Sequence, residues 1–204
     1  MDKSKVRIRS KEELKSREEG FLEIVDILQK NNIFFFIQAG TVLGARRENY
    51  FIKWDWDVEI GIFEKDFIKN YDFIRSELVK KNFKIFHEIK SRKNGKIDLI
   101  KDFDERSTVF EILSWSYSFF RKKYYRWQIN IPSRFFKKKN TIRFLDRELN
   151  CPGPVDEYLT YQYGDWKTPK RSFIKEEYLT KSFFRKKNGI IENIKDKLRS
   201  LKKI

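Results

Sequence analysis

At 204 residues, with 46 Lys and Arg against 30 Asp and Glu for a net charge of +16, the chain is long enough for one domain burying roughly 70 % of its unfolded surface. Its 20 Phe and 5 Trp supply core material that a disordered basic protein lacks, while a lone Cys151 and a lone His87 exclude an internal disulfide, a cysteine metal cluster and a His-rich metal site. The start MDKSKVRIRS has no apolar signal core and the longest apolar run, Ile33 to Ile37, is too short to span a bilayer. A cytoplasmic protein is expected, drawn by its charge to nucleic acid, anionic lipid or phosphorylated substrates.

Ser10 followed by Glu13 forms a capping-box pattern, and Leu14, Phe21, Ile24, Val25 and Leu28 recur at helical spacing, so residues 10 to 31 are predicted as an amphipathic helix. IFFFIQAG predicts a buried strand from Ile33 to Gln38, followed by a helical turn over Thr41 to Arg47. Trp54 to Phe63 alternates as a second strand. Glu64 to Lys81 places Phe67, Tyr71, Ile74 and Leu78 on one stripe of a helix. Strands are expected at Phe83 to Ile89, Ile97 to Lys101 and Thr108 to Trp115, with a tight turn at Asn94-Gly95 and a polar turn around Asp102 to Ser107.

Residues 117 to 140, YSFFRKKYYRWQINIPSRFFKKKN, carry eight basic residues, eight aromatics and no acid. Such a stretch suits stacking on single-stranded nucleic acid or holding an anionic glycan or lipid-linked acceptor, and it equally suits core and lid aromatics among solvated lysines. No recognised nucleic-acid motif accompanies it, which disfavours nucleic acid as a partner. A short helix is predicted around Asp156 to Tyr163, stopped by Gly164. From Lys181 the chain carries nine basic and two acidic residues, with Ile190, Ile191, Ile194, Leu198 and Leu201 on one helical face. That is a basic amphipathic helix, able to dock on the domain or lie on an anionic membrane surface. His87 and Cys151 are read as packing residues.

The candidate chemistry lies in IKWDWDVEIG, residues 52 to 61. On a strand, Asp55, Asp57 and Glu59 line one face about 7 Å apart, opposite Trp56, Val58 and Ile60. Clustered like charges need a positive neutraliser, and a hard divalent cation with oxygen ligands and open positions for phosphate supplies one. The pattern also fits a half-exposed strand with an acidic outer face. Upstream, AGTVLG at 39 to 44 makes a turn whose N–H groups and Thr41 hydroxyl can cradle a phosphate, and downstream Glu111 sits among Phe110, Ile112 and Leu113.

Read together, NNIFFFIQAGTVLGARRENYFIKWDWDVEIGIF resembles the LicD and fukutin family, particularly its fukutin-related branch: Gly40, Thr41, Leu43, Gly44, Ala45, Arg47, Phe51, Ile52, Trp54, Asp55, Asp57 and Val58 match in register. STVFEILSWSY at 107 to 117 and PGPVDEYLTYQYGDWKTP at 152 to 169 resemble two further family segments. Glu59 and Glu111 stand where the family usually has Asp, which lengthens each arm by one methylene. Glu48, Tyr50 and Lys53 also depart from its usual residues.

The order helix, strand, strand, helix, strands predicts an α+β domain with a mixed sheet flanked by helices, and the resemblance, which covers roughly residues 18 to 172, implies that this is a nucleotidyltransferase-like fold. The domain is placed at residues 1 to 180 and the basic amphipathic C-terminal helix at 181 to 204, which the resemblance does not reach. The resemblance implies Mg²⁺ or Mn²⁺ held by Asp55, Asp57, Glu59 and Glu111, with Glu111 alternatively activating the acceptor hydroxyl. Asp98 is the rival for that last acid. Gly40, Thr41 and Gly44 would contact donor phosphate, and Arg47 would stabilise charge on the transferred group. The implied activity moves a phospho-alcohol unit, such as phosphocholine or an alditol phosphate, from a CDP-activated donor to a glycan or glycolipid acceptor in surface-polysaccharide assembly. The expected location is the cytoplasm, with peripheral contact at the inner face of an anionic membrane. Two alternatives stay open: a nucleotidyltransferase using an NTP to modify RNA, protein or a small molecule, and a non-catalytic binder of anionic polymer.

Overall fold

The computed structural model describes residues 7–101, 108–172 and 178–182. It is an α+β fold, as the element order predicts. Helix α1 (Lys11–Lys30) opens on the expected capping box, Ser10 and Glu13 each capping the other's backbone N–H. Its buried stripe contains Leu14, Phe21, Ile24, Val25 and Leu28, and also Arg17. Strand β1 (Phe36–Ile37), helix α2 (Ala39–Arg47), strand β2 (Asp57–Phe63) and helix α3 (Glu64–Lys80) follow. On α3 the buried residues are the predicted Phe67, Tyr71, Ile74 and Leu78.

The sheet then gains β3 (Lys84–Ile89), β4 (Lys96–Ile100), β5 (Val109–Ser118), β6 (Lys123–Arg126) and β7 (Ile129–Pro132). A separate hairpin of β8 (Thr141–Phe144) and β9 (Arg147–Asn150) precedes α4 (Val155–Tyr163), which ends at Gly164 with φ +67°. The main sheet runs β1-β2-β5-β4-β3, with β6 and β7 continuing from the far half of β5. Among the described residues only β2 and β5 pair in parallel, as expected for two strands separated by a helix and a hairpin. The sheet is therefore mixed.

Register sorts its side chains into two faces. Val58, Phe110 and Leu99 form one lateral row and Ile60, Ile112 and Ile97 the next, all buried beneath α1 and α3. Gly20 of α1 lies so close to β5 that an added Cβ would stand 2.7 Å from the Phe110 ring. By the alternation of the strand, every second residue of β2, β5 and β4 points to the other side of the sheet, where α2 and α4 pack on each other.

Several sequence expectations need correction. The strand expected at Ile33 to Gln38 pairs only through Phe36 and Ile37, opposite Gly61 and Ile60. AGTVLG is helical rather than a turn, because Gln38 caps a helix that already starts at Ala39. Strand β2 begins at Asp57, not Trp54. Asp55 lies in the preceding turn, its N–H donating to the Ile52 carbonyl, and Trp56 is 63 % exposed instead of buried opposite the acids. The loop between β3 and β4 is six residues long rather than a tight turn on Asn94-Gly95, since Ile89 pairs with Lys96. The polar turn at 102 to 107 and the basic helix after residue 182 lie outside the described residues.

Candidate active site

The face of the sheet turned toward α2 and α4 carries a row of charges. Glu59 on β2 is in register with Glu111 on β5, Glu111 with Asp98 on β4, and Asp98 with His87 on β3. Adjacent strands stand about 4.8 Å apart, so these four side chains form one line across four strands. Asp57 shares the face one step along β2, and Lys96 does so one step along β4.

The acids are not equivalent. Asp98 is buried and bridges to Lys96, with His87 Nδ1 3.2 Å from its Oδ2. Glu111 is pushed up to about 7 by burial and by the charges of Asp57 and Asp98, against the opposing pull of Arg126 and Lys96. Both acids considered for the last site position thus lie side by side, Asp98 engaged by cations and Glu111 facing Asp57. Arg126, at the end of β6, is shifted down by burial, and its Nε is a buried donor without a hydrogen-bond partner among the described residues.

Asp55 reaches the site by another route. The Arg17 guanidinium, 1 % exposed beneath the sheet, donates to the Asp55 carbonyl at 2.6 Å and to Thr108 Oγ1 at 3.1 Å. Arg9 donates to the Asp55 carbonyl at 3.0 Å and to that of Trp56 at 2.9 Å. Two arginines from the N-terminal segment therefore hold the backbone of the Asp55 turn. Burial lowers Arg17 to about 10 and raises the Asp55 carboxyl, which Arg17, the Trp56 N–H and Arg9 pull back down.

The carboxylate of Asp55 rests on the first turn of α2. A Cβ at Gly40 would lie 2.0 Å from Asp55 Oδ2, so only glycine leaves room for it. The neighbouring Ala39 has φ +46°, a left-handed conformation rare for a residue with a Cβ, and its N–H donates to the buried Tyr158 hydroxyl.

These groups line a cavity of about 580 Å³, within the range of small-molecule sites. It brings together Asp55, Asp57, Glu59, Glu111, Gly40 and Arg47 from the sequence-predicted set. Thr41 and Gly44 stand behind its wall. Thr41 Oγ1 accepts from the Glu59 N–H at 3.3 Å, joining α2 to β2, and a Cβ on Gly44 would meet the Tyr50 carbonyl at 2.6 Å. Arg47 donates to the Trp166 carbonyl and lies over the Trp54 ring, which Arg171 also covers.

Residues that sequence reasoning missed complete the wall: Lys96, Arg126, Trp127, Trp166 and Lys170, with His87, which is half exposed here and not a packing residue. Cys151 is buried, with burial raising its thiol to about 12. One missed signal was available. Arg17 falls at the spacing of Leu14, Phe21, Ile24 and Leu28, on the apolar stripe where a charge needs a partner.

A mixed sheet thus presents carboxylates to a cleft edged by Arg47, Lys96 and Arg126. Residues 32–153, more than half of the chain, match the model of the LicD/FKTN/FKRP nucleotidyltransferase domain, and the chain belongs to that family. It is similar to the uncharacterized protein RT0683 of Rickettsia typhi, with 37 % identity over 62 residues; the match spans 30 % of this chain and only 20 % of that protein. Among solved structures it is similar to ANT(2")-Ia in complex with adenylyl-2"-tobramycin, at 10 % identity and a TM-score of 0.44 over 71 % of this chain and 76 % of that one. Terminal uridylyl transferase 4 from Trypanosoma brucei with bound GTP has 9 % identity and a TM-score of 0.34 over 50 % of this chain and 30 % of that one.

Proposed function

We propose that the chain is a metal-dependent phosphotransferase that moves a phospho-alcohol unit, phosphocholine- or alditol-phosphate-like, from a CDP-activated donor to a hydroxyl of a glycan or glycolipid acceptor. The observation carrying this reading is the lateral pairing of Glu59 with Glu111 beside Asp57, at the floor of a cleft edged by Arg47, Lys96 and Arg126. Family membership supports the transferase chemistry.

The donor set consists of carboxylate oxygens, which suit Mg²⁺ or Mn²⁺, and Glu111 is raised by burial first and by its acidic neighbours second. Among the described residues no three acidic, His or Cys side chains converge as a ready-made metal cage. The four acids expected to share the ion are therefore not gathered at one point, and the reading rests on a cation held by one or two carboxylates with substrate phosphates completing its shell. Asp55 and Asp57 are the first candidates for this role, and Glu59 the third. When bound, the ion supplies charge neutralisation at the diphosphate and on the departing CMP.

The remaining steps belong to the chain. Glu111, its proton affinity raised toward neutrality, accepts the proton of the acceptor hydroxyl. The acceptor oxygen forms its bond to the alcohol-proximal phosphorus as the bond from that phosphorus to the CMP oxygen breaks. Arg47, Lys96 and Arg126 orient the phosphoryl oxygens, and the tryptophan-lined walls limit water. Incubating the protein with CDP-alcohols or NTPs and an oligosaccharide acceptor tests the reading. Release of CMP with transfer of the phospho-alcohol supports it, whereas release of pyrophosphate from NTPs alone replaces it with nucleotidyl transfer.

A further inference from the structure

The turn between β5 and β6 exposes two adjacent aromatic side chains, Phe119 by 75 % and Phe120 by 96 %. Their rings touch each other edge to face, at 6.1 Å and 82°. Exposed Arg121 and Lys122 follow directly, and the Lys122 carbonyl accepts from the Ser133 N–H at 2.9 Å. This bond ties the tip to the 3-10 turn Ser133–Phe136, whose continuation exposes Lys137, Lys138 and Lys139. The whole segment from 117 to 140 lacks an acid.

The tip is rigidly backed. Half-exposed Tyr117 packs on Tyr124, Tyr124 on Phe63, and Phe63 on Phe34, which is itself 44 % exposed. The cleft lies at the other end of β6, where Arg126 and Trp127 stand, so neither phenylalanine belongs to the site already described. Phe119 lies eight residue steps beyond Glu111 along the chain, or ~26 Å of extended chain.

We propose that this tip is a membrane-docking device: Phe119 and Phe120 enter the interfacial region of an anionic bilayer while Arg121, Lys122 and the Lys137–Lys139 run contact its headgroups. Paired apolar rings inside a ring of cations combine the two attractions that hold a peripheral protein on such a surface. A second copy of the chain fits poorly, because a two-fold contact through this patch sets cations against cations. Single-stranded nucleic acid fits poorly too, since rings at 82° offer no parallel platform for successive bases. The docking element is distinct from the residues after 182 and assumes nothing about the transfer reaction.

Co-sedimentation of the full chain with phosphatidylcholine vesicles, with and without phosphatidylglycerol, tests it. The wild type is expected to bind the anionic vesicles preferentially, and Phe119→Ser/Phe120→Ser to lower that affinity about ten-fold or more. Phe120→Asp alone should weaken binding in the same direction, and Arg121→Ala/Lys122→Ala should reduce the preference for phosphatidylglycerol. Unchanged thermal melting of these variants separates docking from folding. Vesicle binding by the double serine variant equal to wild type overturns the proposal, as does loss of self-association or RNA binding in that variant with vesicle binding intact.

Discussion

Gly40 and Asp55 share one space: a methyl at position 40 would stand 2.0 Å from the Asp55 carboxylate oxygen. The glycine seats the acid against the positive end of α2, where backbone N–H groups favour a negative charge. Gly40→Ala is therefore expected to displace the carboxylate while leaving the buried sheet intact, and to lower turnover about ten-fold or more. Turnover and thermal melting of the variant check this. Full activity would show that the acid has no need of its seat.

Asp57 lies beside both glutamates of the β2–β5 pair, within electrostatic reach of Glu111. Under the proposed chemistry, Asp57→Asn should reduce CMP release by roughly 10²-fold or more at unchanged fold. Chelation of divalent ions should silence the wild type, and Mg²⁺ or Mn²⁺ should restore it. Activity that persists through exhaustive chelation would refute the metal role.

Glu111 has a proton affinity raised to about 7 by burial and by Asp57 and Asp98. In the metal-free protein such a group stabilises the fold below its unfolded pKa, and this contribution is lost as pH rises through the folded value. Glu111→Gln, which mimics the protonated form, should match the wild type near pH 4.5 and exceed its stability by about 1–3 kcal/mol at pH 8, while losing transfer activity. Chemical denaturation in chelator at the two pH values measures the gap. A constant gap would mean that the carboxyl titrates normally.

Arg17 is buried beneath the site with its hydrogen bonds directed to the Asp55 carbonyl and to Thr108. Arg17→Met keeps the aliphatic bulk but strands those acceptors, so a loss of about 2–4 kcal/mol is expected, with a weaker site at temperatures where the variant is still folded. A denaturant melt and the donor KM report the two effects separately. A variant as stable as wild type would make the guanidinium dispensable.

How much of this was legible in the sequence depended on how local its cause was. Phe67, Tyr71, Ile74 and Leu78 announce α3 because helical spacing is a local property, and the Ser10–Glu13 box marks the start of α1 for the same reason. Asp57 and Glu59 were legible as one strand face. The alternation predicts Asp55 on that face too, and it departs because Arg9 and Arg17, 46 and 38 residues away, capture its carbonyl before β2 begins. The Glu59–Glu111 pairing and the arrival of Arg126 depend on which strands become neighbours, which no local spacing encodes. The β8–β9 turn hides differently: Leu145 and Asp146 take φ of +50° and +58° where Asn-Gly would have signalled such a turn. Gly95 misleads in the opposite sense, being small to admit the Phe67 ring and the Ser91 carbonyl rather than to make a tight turn.

Helix α1 has a consequence for how the domain can be cut. The family match begins at residue 32 and stops at 153, yet Arg17 under the acidic turn comes from before that span, and Trp166, Lys170 and Tyr178 on the cleft wall come from after it. A fragment trimmed to the matched span would keep most of the acids but lose both the strut that fixes Asp55 and one side of the cleft. Both flanking supports of the cleft therefore lie outside the segment by which the family is recognised.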